Sequence, residues 1–439
     1  MSEPDKAPNL LEDRKIPWYE TMGYIGVILL AAGSAFSIAL GGIATLLIYV
    51  SALLILIIKR PPRKYIFANY ALCLFVLACL AGVAIWGDFM HHAPALRKFW
   101  RLLLPGAMIV ILYENRNSQL ILRVVFGFAL VHAVYGIVKY FTGITVLPGE
   151  HLTPFGTVNQ VFQVNGIFSH HLTFGGVFLI LWPLFLMLAS GEGRTRNEKL
   201  IYYAGTALIV LATVLTLGRS IWVALIFQSL IALWFMGNRI VKGITLFIGV
   251  ALPVAYVVFV TTVPNTGGEF RNIPILNKLS QIHVMSNLDR VRMWKAGWRT
   301  VLESPWVGSG AAESEILENN YERIHVEERH DFQHKPSVGV HNIYLQIWIQ
   351  YGIAALVFYF LFFLGLMFTG AMALRRKSAS IVKERFIVRA GMISLAGIMV
   401  AGFFENNFFD GEVNQALMFV TGLMSLTIHR IHKARKDRL

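Results

Sequence analysis

Apolar residues run in blocks long enough to cross about 30 Å of hydrocarbon as helices, parted by short polar stretches. The pattern predicts spans near residues 22–38, 40–58, 66–86, 102–113, 119–141, 172–189, 200–217, 221–237, 241–260, 342–373, 386–404 and 413–428. That makes about twelve, an all-α polytopic membrane protein. The first two runs follow each other almost at once, which argues against a cleavable signal peptide, and Gly41 and Gly42 mark the expected turn between them. Three parts follow: N-terminal spans over residues 1–260, a long polar loop over 261–340, and C-terminal spans with a basic tail over 341–439.

The loop resists reading as a plain connection, because structureless loops of that length are uncommon. Within it, NLDRVRMWKAGWRTVLES (287–304) places Val291, Trp294, Trp298 and Val301 at helical spacing. Ser286 or Asn287 is the expected cap and Pro305 the stop. Arg290, Arg292, Lys295 and Arg299 surround the stripe, so this helix suits a membrane interface, lying flat over the apolar bundle.

Composition agrees with the pattern: 56% of residues are hydrophobic and 15% charged, with mean hydropathy +0.59. A net charge of +14 suggests nucleic acid in a soluble protein. Here Lys and Arg instead gather on alternate loops, as orientation in a membrane requires. The N-terminal tail, KRPPRK (59–64), Arg116, GRTRNEK (193–199), NRIVK (238–242), RRKSASIVKER (375–385) and HRIHKARKDRL (429–439) fall on one side. The opposite loops 142–169 and 406–412 carry neither residue, although Arg97, Lys98 and Arg101 are exceptions there. Both termini are therefore expected in the cytoplasm and loop 261–340 on the outer face. Cys73 and Cys79 share one apolar run, so neither a disulfide nor a Cys metal site is expected.

Arg219, in TLGRS, lies on the outer side, where the orientation rule disfavours cations. It reads either as a snorkelling residue at a helix end or as an anion site. Arg290 and Arg292 present the same choice on the same face, and several planar forks there suit a diphosphate. His341 stands where the polar loop re-enters the membrane. Beside the positive end of a helix starting near Asn342, its imidazole is favoured in the neutral form, as a base requires; the alternative is a structural histidine. HVEERHDFQHK (325–335) crowds His325, Glu327, Glu328, His330, Asp331 and His334, with His330 and His334 at i, i+4. A solvated polar segment accounts for it better than a metal site. The pairs His91-His92 and His170-His171 are weak metal signals, and Glu405 and Asp410 either line a polar cavity or stabilise a helix end. GSGAAE (308–313) lacks the strand and lysine of a nucleotide loop. His132 and Lys139, inside the fifth span, are the nearest features to a secondary transporter's ionisable residues, without a matching half elsewhere.

The stretch from His341-Asn342 through Gly352 resembles the signature of bacterial O-antigen ligases, with Ala355 where the family usually has Gly, Thr or Tyr. TLGRS (216–220), LDRVRMW (288–294) with PWVGSG (305–310), and GIFSHHLTFGG (166–176) are similar to the family's other landmarks in order and spacing. The resemblance implies a membrane glycosyltransferase of GT-C-like architecture. Its donor would be O-antigen on undecaprenyl diphosphate and its acceptor a sugar of lipid A–core, on the periplasmic face of the bacterial inner membrane. It implies His341 as general base and Arg219, Arg290 and Arg292 on the diphosphate. Asn342, Trp294, His170, His171 and Glu405 would support them, with no metal and no cofactor. O-antigen polymerases and protein-glycosylating ligases share the donor, so the acceptor stays open at this point.

Overall fold

The computed structural model describes residues 16–60, 70–86, 95, 99–113, 118–146, 150, 152, 154–155, 161–191, 194–262, 285–311, 314–328, 339–375 and 384–436. Its elements are α1 (Trp18–Phe36), α2 (Ile38–Lys59), α3 (Tyr70–Ile85), a 3-10 turn (Trp100–Leu103), α4 (Leu104–Leu112), α5 (Ser118–Thr142), β1 (Pro154–Phe155), β2 (Val161–Phe162), α6 (His171–Ala189), α7 (Arg196–Val214), α8 (Arg219–Met236), α9 (Arg239–Thr262), α10 (Met285–Glu303), α11 (Glu315–Glu328), α12 (Ile343–Arg375), α13 (Arg385–Ala401), a 3-10 turn (Asn407–Phe409) and α14 (Gly411–Lys436). β1 and β2 form a two-stranded antiparallel ladder. Among the described residues, α1, α2, α5, α6, α8 and α12 are long and apolar enough to cross a membrane; Tyr70–Ile85 and Trp100–Leu112 are shorter apolar helices. This is an all-α polytopic membrane protein.

The break between α1 and α2 falls at Ser37 and not at the expected Gly41 and Gly42. Ser37 is extended, and its side chain accepts from Leu40 N, capping α2. Gly41 lies inside α2 for a different reason: a Cβ there would meet the Gln415 amide at 2.0 Å. The glycine admits a close helix approach.

α6 is the core helix. From Phe174 onward nearly every side chain is buried, because the run is apolar all round and packs against α7, α13 and α14. Gln228 of α8, fully buried, accepts from Trp182 Nε1 (2.7 Å) and donates to Leu179 O (2.8 Å) and Ile393 O (3.2 Å). One amide thereby joins α6, α8 and α13.

His132 and Lys139 turn out to be staples that tie α5 to the loop that follows it and, through His132, to α1. His132 Nδ1 is 2.8 Å from Ala35 O, and its Nε2 accepts from Ile167 N at 3.0 Å. Lys139 donates to Glu150 (2.7 Å) and to Gly166 O (2.8 Å), with both charged groups buried. Burial of a charge is tolerated when it is paired and hydrogen-bonded.

α10 and α11 share a small core of Met293, Ala296, Val301, Leu317, Tyr321 and Ile324, closed by Val340 and Ile349. The buried stripe of α10 is rotated from the expected one. Val301 is buried, yet Val291 and Trp298 are exposed, because Ala296 and Gly297 let the other face approach α11 and α12 closely. Trp298 instead meets the edge of Trp348. The side chains of Ser286 and Asn287, the expected caps, lie outside the described residues. Arg292 and Lys295 pair with Glu328, and Arg299 with Glu327, so the acidic pair of the predicted charge-rich segment ties the two helices together.

α12 is broken at Gly352, whose φ of 80° and ψ of 178° leave the helical region. A Cβ there would sit 2.1 Å from Trp306 O. The segment 305–310 fills the break: Ser309 N donates to Ile349 O, Ile353 N to Pro305 O and Trp348 Nε1 to Pro305 O. Those bonds replace the ones the helix loses.

Candidate active site at one end of the bundle

The starts of α6, α8, α12 and α14 and the end of α13 meet at one end of the bundle. Asn342 starts α12: its Oδ1 accepts from Tyr344 N and Leu345 N, both at 3.1 Å. Ile343 N donates to Gly402 O (2.8 Å), fastening that start to the end of α13, and Val340 N donates to Gln346 Oε1 (3.0 Å). Between these anchors His341 adopts φ 48°, a left-handed conformation that a non-glycine residue holds only when its surroundings enforce it.

Glu405, 3% exposed, is the hub. Its Oε1 accepts from Arg290 Nη2 (2.8 Å) and Ser220 Oγ (3.0 Å), and its Oε2 lies 3.5 Å from His341 Nδ1. Arg290 Nη1 also donates to Phe404 O at 2.9 Å. Burial raises the Glu405 carboxyl, but His341 and Arg290 more than offset it and hold it below the usual carboxylate range. An imidazole that donates from Nδ1 to this carboxylate carries its lone pair on Nε2, the arrangement of an oriented base.

Arg219 opens α8 one residue before Ser220, so the hub reaches the arginine's own turn. Arg292 faces the other way, toward Glu328 at 2.7 Å and Asp289 at 3.7 Å. Trp294 lies against Phe404, with ring centroids 6.3 Å apart. His170 caps α6, accepting from Leu172 N at 3.2 Å, and its ring lies 4.3 Å from that of His171. Burial and the neighbouring His341 lower the His170 pKa against the opposing pull of Glu405 and Asp410. Asp410 caps α14 through Oδ1, accepting from Glu412 N and Val413 N, while Oδ2 accepts from Thr173 Oγ1 at 2.5 Å.

The structure thus gathers His341, Arg290, Glu405 and His170, places Asn342 as a cap and Trp294 at the margin, and directs Arg292 elsewhere. Sequence reasoning named Glu405 as a cavity or helix-end residue and as a supporting one, without its pairing to His341, and missed Ser220 and Gln346. Adjacency of Ser220 to Arg219 was the available signal. Among the described residues, no three His, Cys, Asp or Glu side chains converge as a metal site. His91, His92, His330 and His334 lie outside the described residues.

Fold and site together define a multi-pass helical membrane protein with a charged, oriented-histidine site at one end of its bundle. Residues 204–360 match the family model described as O-Antigen ligase. That segment, about a third of the chain, is similar to the O-antigen ligase superfamily, whose members are membrane glycosyltransferase-like ligases and polymerases. The matched segment contains Arg219, Ser220, Arg290 and His341, and ends before Glu405. No curated protein matches the chain.

Proposed function

We propose that this chain is an O-antigen ligase that moves O-antigen polysaccharide from undecaprenyl diphosphate to a sugar hydroxyl of lipid A–core. The supporting observation is the His341–Glu405–Arg290 constellation beside Ser220 at one end of an apolar bundle, with His341, Arg290 and Ser220 inside the family-matched segment. In this reading His341 Nε2 takes the proton of the acceptor hydroxyl as its oxygen attacks the anomeric carbon. The bond from that carbon to the diphosphate oxygen breaks on the opposite face, which inverts the centre, and the electron pair leaves on the diphosphate. The transition state has oxocarbenium character, as in other glycosyl transfers.

Glu405 orients the imidazole and stabilises the imidazolium that forms. Arg290 spends two of its five donors on Glu405 and Phe404 O, and its remaining ones serve the departing phosphate oxygens together with Arg219. Arg292, held by Glu328, leaves the diphosphate to Arg290 and Arg219 in this reading. The chemistry proposed is metal-independent. We take the shorter and more polar helices as spans too, giving about twelve in a GT-C-like arrangement. Residues 261–340 then form the periplasmic unit, with both termini in the cytoplasm and the inner membrane as the location.

The test is purified protein in liposomes given an undecaprenyl-diphosphate-linked oligosaccharide and lipid A–core, with products resolved by mass. Sugar on lipid A–core is the expected result. Longer lipid-linked chains with unmodified lipid A–core overturn the ligase in favour of a polymerase.

A further inference from the structure

Beside Gly411, at the start of α14, lies another cation. Arg101, in the 3-10 turn ahead of α4, places its guanidinium 5.1 Å from the Trp100 ring centroid, with Nη1 against the Gly411 backbone. Its Nε is buried without a hydrogen-bond partner, and among the described residues no carboxylate reaches it at ion-pair distance. Asp410 and Glu412 are nevertheless near enough to act on its charge. Both belong to the same turn as Glu405, and His170 feels Asp410, Glu405 and His341 together. The 3-10 turn is itself anchored: Tyr49 OH donates to Trp100 O.

A half-buried guanidinium with unspent donors, two carboxylates and an indole ring are complementary to an acidic sugar. The fork, held over the Trp100 ring, takes one anionic substituent, and the carboxyl oxygens accept from ring hydroxyls. A bare diphosphate fits less well, because it brings no hydroxyls to the carboxyl oxygens of Asp410 and Glu412. We propose that Arg101, Trp100 and the Asp410–Glu412 pair form an acceptor subsite for a saccharide bearing one phosphate or carboxylate, separate from the diphosphate arginines. This rests on the glycosyl-transfer reading for which substrate arrives there.

Binding to the full-length protein in detergent tests it without any turnover. The probes are delipidated core oligosaccharide with its phosphates intact, the same oligosaccharide after phosphatase, and a short-chain polyprenyl diphosphate, each titrated calorimetrically. The phosphorylated oligosaccharide should bind wild type roughly tenfold more tightly than the stripped one, the scale of one charge-assisted hydrogen-bond set. Arg101→Gln should bring the two within about twofold of each other, Arg101→Lys should keep part of the preference, and Arg290→Ala should keep all of it. Polyprenyl diphosphate affinity should be unchanged in Arg101→Gln. A preference that survives Arg101→Gln, or is absent from wild type, overturns the subsite. Loss of polyprenyl diphosphate affinity instead moves Arg101 to the donor and overturns the acceptor assignment. A chain that binds through Arg101 yet transfers nothing in the liposome assay refutes the transfer reading and leaves the subsite standing.

Discussion

Glu405 and Glu412 sit seven positions apart on one turn and respond to pH with opposite signs. Glu405 is held below its ordinary value of 4.5, so its contribution to stability is complete above that value and is lost as pH falls through the lower folded value. Glu412 is pushed up to about 7, first by burial and then by Asp410. It keeps a proton that the unfolded chain releases, so stability falls as pH rises from about 4.5 to about 7. Thermal unfolding followed from below pH 4.5 to neutrality should show both limbs. Glu405→Gln should remove the acid limb, and Glu412→Gln should flatten the slope toward neutrality; a slope unchanged in Glu412→Gln contradicts the assignment. His341 itself was legible in the sequence as a histidine at a polar-to-apolar boundary. Its carboxylate partner was not, because Glu405 is more than sixty residues away and only the packing of α12 against the end of α13 brings them together.

At the scale of elements, apolar run length located nearly every helix, since a span is a local property of about twenty residues. Breaks inside runs were less legible. Ser37 outweighed a glycine pair because a side-chain oxygen supplies a cap, whereas Gly41 serves close packing against Gln415. Gly352 looked like one letter of a signature, and its physical role appears only where the 305–310 segment enters the broken helix. Gly352→Ala should therefore destabilise the protein by more than the ~1 kcal/mol expected at a left-handed site alone, because the Trp306 carbonyl must also move. An unfolding midpoint within a degree of wild type would exclude that steric role. Asn342→Ala removes two accepted hydrogen bonds and should lower stability by about 1 kcal/mol, with a larger loss of turnover because His341 precedes it.

The whole molecule sorts its charges by end. Arg194, Arg430 and Glu384 join Gln119, Leu112 O and Ser118 away from the candidate site, while Arg219, Arg290 and Arg101 lie around it. Arg219 and Arg101 are the positions that stood out in the sequence as exceptions to the alternation of loop charge. The buried Lys139–Glu150 pair holds the loop that leads to His170, so Lys139→Met should leave a buried carboxylate unpaired and lower stability by about 3 kcal/mol. Pairing it with Glu150→Gln should recover part of the loss, and no recovery in the double variant would place the two residues in separate roles. Chelator treatment is expected to leave transfer intact; activity lost and restored only by a divalent ion would require a metal. The most direct measurement of the central claim is the transfer rate from undecaprenyl-diphosphate-linked oligosaccharide in His341→Ala, Glu405→Gln and the double variant. Removal of a general base should slow transfer by roughly 10²–10⁴-fold in His341→Ala. Glu405→Gln should lose less, and the double variant should be no slower than His341→Ala, because Glu405 acts through His341. Near-normal transfer by His341→Ala would contradict the account.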